Sequence, residues 1–206
     1  MPTIKNIGLQ PLFFSPLNIF ELPNAEGLND ELLIEANRQR RQSEGLSRSN
    51  INGWHSEDDF FIRNESCYRK LQEEIIEAIR QATLAVSPNF DFNIWGMQAE
   101  GWINMLDKGG MNSPHDHPAW VWSGCYYIQV PQYENSRSGS IEFLDSRTNL
   151  RTLTVDGASC FNSKYSLQPK AGSLLLFPSY LKHWVFPNEN EQVRVSVAFN
   201  ARFVKR

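Results

Sequence analysis

Three of the four histidines fall in two short segments, Asn112-Ser-Pro-His-Asp-His-Pro118 and Phe177-Pro-Ser-Tyr-Leu-Lys-His183. If residues 115–117 are extended, His115 and His117 project to one face and Asp116 to the other, because side chains alternate along a strand. His183 brings a third imidazole on a separate apolar, strand-like run. Three imidazoles with open positions beside them suit iron, zinc, copper or nickel. The plainer reading makes the His-x-His a surface turn between prolines and His183 an ordinary half-buried histidine. Asp116 joins a metal site only if its segment is not extended. Other reactive side chains carry less. Ser123, Cys125 and Ser179 lack a Gly-x-Ser-x-Gly elbow or a paired Cys-His signature, and Cys125 in an aromatic strand reads as core.

The elements that must hold these residues come in two blocks. Residues 6–22 are apolar but broken by Pro11 and Pro16, which suits one or two short strands at a sheet edge. Asn29 or Asp30 caps a first helix over about 30–42, whose basic end (Arg38, Arg40, Arg41) suits the helix dipole. Residues 43–61 read as a polar loop in which His55 is exposed, while Trp54 either anchors the loop or reaches over a pocket. Helical spacing of Tyr68, Leu71, Ile75, Ile79 and Ala82 predicts a supporting helix over 65–86. From residue 92 the pattern turns to strands, near 92–96, 99–106, 119–130, 139–145, 150–155, 173–177, 182–186 and 192–204. Eight short strands behind a helical region predict a mostly β fold, a jelly-roll or double-stranded β-helix. The expected division is 1–91 as N-terminal strands and helices packed on a core of 92–206, one structural domain overall.

Composition narrows the function. The 206 residues suffice for one well-buried core, and 41% hydrophobic with 21% charged residues is an ordinary globular balance. A net charge of −3 argues against general nucleic-acid binding. No apolar run of membrane-spanning length and no signal-like N-terminus is present. Cys67, Cys125 and Cys160 are odd in number and scattered, which suits a reducing cytoplasm rather than a disulfide framework. The 12% aromatic content suits a sandwich or barrel packed with large rings.

An ordered set of motifs then stands out: Gly101-Trp-Ile-Asn104, His115-x-His117-Pro, Ser123-Gly-x-Tyr-Tyr127, Gly139-x-Ile-x-Phe143, Gly172-x-Leu-x-Leu-Phe-Pro-Ser-x-x-x-His183 and Arg194-x-Ser196-x-x-Phe-Asn200. Over roughly residues 95–203 the chain resembles the 2-oxoglutarate/Fe(II)-dependent oxygenases, above all a small bacterial and phage group distantly similar to prolyl hydroxylases. Trp54-His-Ser56 also looks like a motif of that group. The resemblance implies a double-stranded β-helix, Fe(II) on His115, His117 and His183, and 2-oxoglutarate as co-substrate. In the broad superfamily the ligands are two histidines and a carboxylate, so His117 stands where the carboxylate is normally found.

The resemblance further implies that Arg194 holds the far carboxylate of 2-oxoglutarate; Ser196 shares its strand face, and Asn104 with Tyr127 or Tyr126 can hydrogen-bond the same molecule. Arginine suits that role because its planar fork pairs with carboxylates. An inward-facing arginine flanked by Val193, Val195 and Val197 needs a partner to offset burial; a structural ion pair inside the barrel is the other reading. Trp54, Trp120, Trp122 and Trp184 are candidates to line a substrate pocket, against ordinary core packing. The segment 145–171, with Arg147, Arg151, Lys164 and Lys170, suits either a lid or plain surface. The expected activity is hydroxylation of a small-molecule or peptidyl substrate with release of succinate and CO₂, by a chain that can form a homodimer. Two other classes stay open: a three-histidine cupin-type enzyme that does not use 2-oxoglutarate, and a non-catalytic binding module on the same scaffold.

Overall fold

The computed structural model describes residues 8, 12–132, 137–147 and 162–206. Its strands are β1 (Asn18–Glu21), β2 (Asn50–His55), β3 (Trp95–His115), β4 (Trp122–Gln129), β5 (Ile141–Leu144), β6 (Lys164–Leu167), β7 (Ser173–Pro178), β8 (His183–Val185) and β9 (Arg194–Lys205). Two helices, α1 (Glu26–Gln42) and α2 (Ser66–Val86), precede β3. The strands run in the order β1-β7-β4-β9-β3-β8-β5-β6, with β2 also paired to β3, and every pairing is antiparallel. This is the expected mostly β fold with N-terminal helices, a curled jelly-roll, cupin-like half-barrel. No helix among the described residues is long and apolar enough to cross a membrane.

The curl comes from β3. Its first half pairs with β9 from Trp95↔Lys205 to Leu106↔Arg194, and its far end pairs with β8 at Asn112↔Val185 and His115↔His183. Between the two, Gly109 takes φ 78°, a left-handed conformation that a side chain disfavours. The strand bends there and passes from the helix-covered sheet to the smaller β8-β5-β6 sheet. The expected pair of strands 92–96 and 99–106 is therefore one long strand.

Side-chain alternation then sorts β9. Val195, Val197, Phe199 and Ala201 pack into the core beneath the helices, while Arg194, Ser196 and Asn200 lie on the opposite, inner face. Leu71, Ile75 and Ile79 of α2 are completely buried in the same core, each worth roughly 1.5–3 kcal/mol. Trp122 belongs to it as well, its indole N–H donating to Thr83 Oγ1 at 3.0 Å. A second cluster, including Ile141, Phe143, Leu175 and Phe177, fills the interior between the sheets.

Several expectations need correction. Helix α1 starts at Glu26, not near residue 30, and has no side-chain cap. Asn29 is instead buried in the helix, where its Oδ1 accepts the Tyr126 hydroxyl at 2.6 Å. A tertiary hydrogen bond has taken the residue that local capping chemistry would have used. Arg40 is not simply a solvated helix end; it pairs with both carboxylate oxygens of Asp107 on β3. The polar run 43–61 contains β2, whose register with β3 includes Trp54↔Met105 and His55↔Asn104. His55 is buried, not exposed, and stacks on Trp102 with centroids 5.3 Å apart. Strand β6 falls where none was expected, and the expected strand 150–155 lies outside the described residues, as does Cys160.

Phe199 depends on an absent side chain. It faces Gly124 across the β4–β9 pairing, and a Cβ on Gly124 would lie 2.2 Å from Phe199 Cζ. Gly124→Ala is therefore expected to destabilise by about 1–3 kcal/mol through overpacking. Urea unfolding checks this, with Phe199→Leu in the same chain recovering part of the loss.

Candidate metal centre

Register puts the three histidines together. His115 ends β3 and lies directly opposite His183, which opens β8. The chain then continues through Asp116 to His117, whose backbone N–H donates to Ser179 O at 3.0 Å. One nitrogen from each ring lies within 4.8 Å of the others, and ring centroids are 4.4 Å apart for His115–His183, 5.0 Å for His115–His117 and 5.4 Å for His117–His183. Asp116 is exposed and takes no part in the cluster, as alternation requires.

Two of the rings are preset as ligands. The Nδ1 of His115 lies 2.6 Å from Ser113 O, and that of His183 lies 2.9 Å from Leu181 O. A carbonyl only accepts, so each ring carries its proton on Nδ1 and keeps the Nε2 lone pair free. His117 is held differently. Its Nδ1 faces Asn200 Nδ2 at 3.4 Å, and that amide also donates to Glu100 Oε1 at 3.0 Å while its Oδ1 accepts Ser123 Oγ at 2.7 Å. His117 also packs its ring on Trp102, with centroids 5.8 Å apart.

Burial tunes the set. It is the largest cause pushing His183 down to about 3 and His117 down to about 4, with the neighbouring imidazoles adding to the shift; His115 is lowered as well. All three are thus neutral near pH 7, as metal ligation requires. Three convergent neutral imidazoles, two with their outer N–H already satisfied, fit a transition-metal ion.

Behind the histidines, the inner faces of β3, β9 and β4 form transverse rows. Glu100, Asn200 and Ser123 make one; Trp102, Ala198 and Cys125 the next; Asn104, Ser196 and Tyr127 the third; Leu106 and Arg194 follow. Successive rows are roughly 7 Å apart. Arg194 is 2% exposed. Its Nε donates to Gly139 O at 3.1 Å, its Nη1 reaches Ser196 Oγ at 3.5 Å, and its guanidinium carbon sits 5.0 Å from the Tyr127 ring centre. No carboxylate of the described residues forms an ion pair with it. Beside it, Asn104 Oδ1 and the Tyr127 hydroxyl have no well-formed hydrogen bond among the described residues, although Arg194 and Cys125 lie next to the hydroxyl, and burial pushes that hydroxyl well above its ordinary range.

The register thus gathers His115, His117 and His183 at one place and Arg194, Ser196, Asn104 and Tyr127 at another, a few rows deeper. The tryptophans separate. Trp120 and Trp122 wall a groove that opens at His117. Trp54 is buried in the core, its indole N–H donating to Ser43 O at 2.9 Å. Trp184 stacks on Phe186 and donates to Glu142 Oε1 at 3.1 Å; neither of these two lines the groove. The sequence marks Asn200 only as the end of a motif, with no role assigned, and does not mark Glu100. Parity with Arg194 and Ser196 on one strand, and with Asn104 on the other, was the available signal.

Residues 100–200 match a family model described as "Putative 2OG-Fe(II) oxygenase". No curated protein matches the chain. Among solved structures, a prolyl-4-hydroxylase from Pseudomonas putida is similar at TM-score 0.59 and 18% identity, covering 92% of both chains. HygX from Streptomyces hygroscopicus, solved with nickel and 2-oxoglutarate, is similar at 0.60 and 12% identity, over 91% of this chain and 82% of that one. A prolyl hydroxylase from Trichoplax adhaerens gives 0.60 and 14%, over 90% and 82%. At such identities these likenesses concern the fold. Residues 100–200 place this half of the chain in the 2-oxoglutarate/Fe(II) oxygenase superfamily.

The site itself corrects the expected activity. A 2-oxoglutarate-dependent hydroxylase of the usual kind holds iron on two histidines and a carboxylate. Here the candidate metal-ligand cluster among the described residues is His115, His117 and His183, with no carboxylate. What stands is a histidine-based site compatible with a transition metal, in a fold rich in enzymes.

The depressed histidines carry a pH signature. Their folded values lie below the unfolded 6.5, so the unfolded chain binds more protons as pH falls from 6.5 toward 4. Stability is full above that window and lost through it, by roughly 2 kcal/mol between pH 7 and 5 for each of His183 and His117 in the metal-free protein. Chemical unfolding at the two pH values is expected to show this, with a smaller difference in His183→Gln.

Proposed function

We propose that the protein is a three-histidine, cupin-type metalloenzyme that oxidises a small anionic substrate bound directly at the metal, with dioxygen as oxidant and without 2-oxoglutarate. The donor set carries this reading: three imidazoles converge and no carboxylate of the described residues joins them. A divalent ion held by neutral ligands keeps its full charge, which favours an anionic group of the substrate as a further ligand. Such an ion supplies Lewis acidity and, when redox-active, electron exchange.

The chain's own residues bind, orient and exclude water. Arg194 is a buried cation whose described partners are a carbonyl and a hydroxyl, an arrangement costly without an anion beside it. A substrate carboxylate supplies that charge, accepts from the guanidinium and takes the Tyr127 hydroxyl proton as a hydrogen bond. Asn104 Oδ1, unpartnered here, accepts a donor from the same molecule. Each unmade bond costs about 1–3 kcal/mol, so ligand binding removes a standing penalty. Phe143 and Phe177 pack against the His183 ring and keep that side dry.

The test is oxygen uptake by Fe(II)-loaded protein with a panel of small carboxylates, with and without 2-oxoglutarate. Uptake with a carboxylate substrate alone is expected, and Arg194→Ala should raise its KM about thirtyfold or more, the cost of removing one partner from a buried charge pair. Uptake that requires 2-oxoglutarate and releases an equivalent of succinate would overturn the proposal.

A further inference from the structure

A groove of about 520 Å³ opens at His117 and runs outward between Pro118, Ala119 and Trp120 on one side and Pro178 and Tyr180 on the other. Phe14 and Pro16 also wall it, and among the described residues no Asp, Glu, Lys or Arg side chain lines it. Its backbone polar groups are largely committed: Ser179 Oγ donates to Trp120 O, and Ser179 N–H donates to Val121 O. The groove therefore offers flat apolar faces and one metal-ligand imidazole, with little else to hydrogen-bond.

Two further observations set it apart from ordinary surface. Ala119, in the wall, takes a positive φ of 72°, a conformation that residues with a Cβ avoid and that collects at ligand clamps. The lining also includes exposed large apolar side chains: Phe14 is 61% exposed and Tyr180 53%. Apolar side chains gathered in this way mark binding sites. The walls are braced. The Arg202 guanidinium stacks 4.9 Å from the Trp120 ring centre, and Ser15 Oγ is hydrogen-bonded to Tyr180 OH at 3.1 Å.

We infer that this groove receives an uncharged, ring-bearing arm of the substrate whose other end sits at the three-histidine centre. The inference rests on the metal reading above and adds the substrate's second half. His117 is both a ligand and part of the groove wall, so a molecule bound at the metal continues into the groove without leaving protein contact. Rings suit it because rigid planar groups stack on tryptophan, tyrosine and proline faces at small entropic cost. A charged arm would lose its hydration and find no partner.

Hydroxamates test this on the full-length protein loaded with Co(II), because one chelating group can carry different arms. The dissociation constants of acetohydroxamate, benzohydroxamate and 4-carboxybenzohydroxamate are read from the Co(II) visible spectrum. Benzohydroxamate is expected to bind at least about tenfold more tightly than acetohydroxamate, as burial of ring area predicts. The carboxylated ring should lose most of that advantage. The ratio between the first two should fall below about threefold in Trp120→Ala and in Tyr180→Ala. Equal affinities in the unaltered protein, or a ratio that survives Trp120→Ala, would overturn the groove assignment while leaving the metal site standing. Concentration-dependent dimerisation that blocks benzohydroxamate would reassign the groove to a second copy of the chain. Failure to bind Co(II) at all would sink the metal reading and this inference with it.

Discussion

The long antiparallel pairing of β3 with β9 is the constraint on which the molecule depends. Twelve consecutive partners, from Trp95↔Lys205 to Leu106↔Arg194, run without a register shift. A slip of one residue would turn every inner side chain outward. In the observed register, Val195, Val197 and Phe199 meet the helices, and Arg194, Ser196 and Asn200 meet the interior. The apolar demand of one face thus decides where the polar groups of the other must stand. The helices α1 and α2 contribute no metal ligand and no cradle residue; they hold the register.

The interior so formed is poorly satisfied by protein alone. A guanidinium, a phenol and an amide oxygen are shut away from water with few partners, and three imidazoles are kept neutral by the same burial. Stability calculations that counted only the apolar clusters would miss this stored cost. It is the sort of local conflict that folded chains tolerate at places where something else binds.

Much of this was legible in the sequence because it rests on period-two alternation. Arg194 with Ser196, and His115 with His117, could be placed on shared faces from spacing alone, and the strand-rich second half announced the fold class. What escaped were features decided by distant partners. Asn29 looks like a helix cap, yet Tyr126 claims it. Trp54 and His55 sit in a run too polar to read as a strand, and only pairing with β3 makes them one. The identity of the third ligand position was readable as His117, but its consequence for the expected chemistry depended on seeing that no carboxylate approaches from elsewhere in the described structure.

The pairing of His115 opposite His183 has a consequence for the site. Both rings stand on paired strands and are further held by hydrogen bonds to backbone carbonyls, so strand pairing sets where they meet. His117 lies beyond the end of β3 on the groove side. Any ion that uses this site therefore meets a two-toothed rack and a single outer latch. Of the three histidines, His117 alone lines the groove.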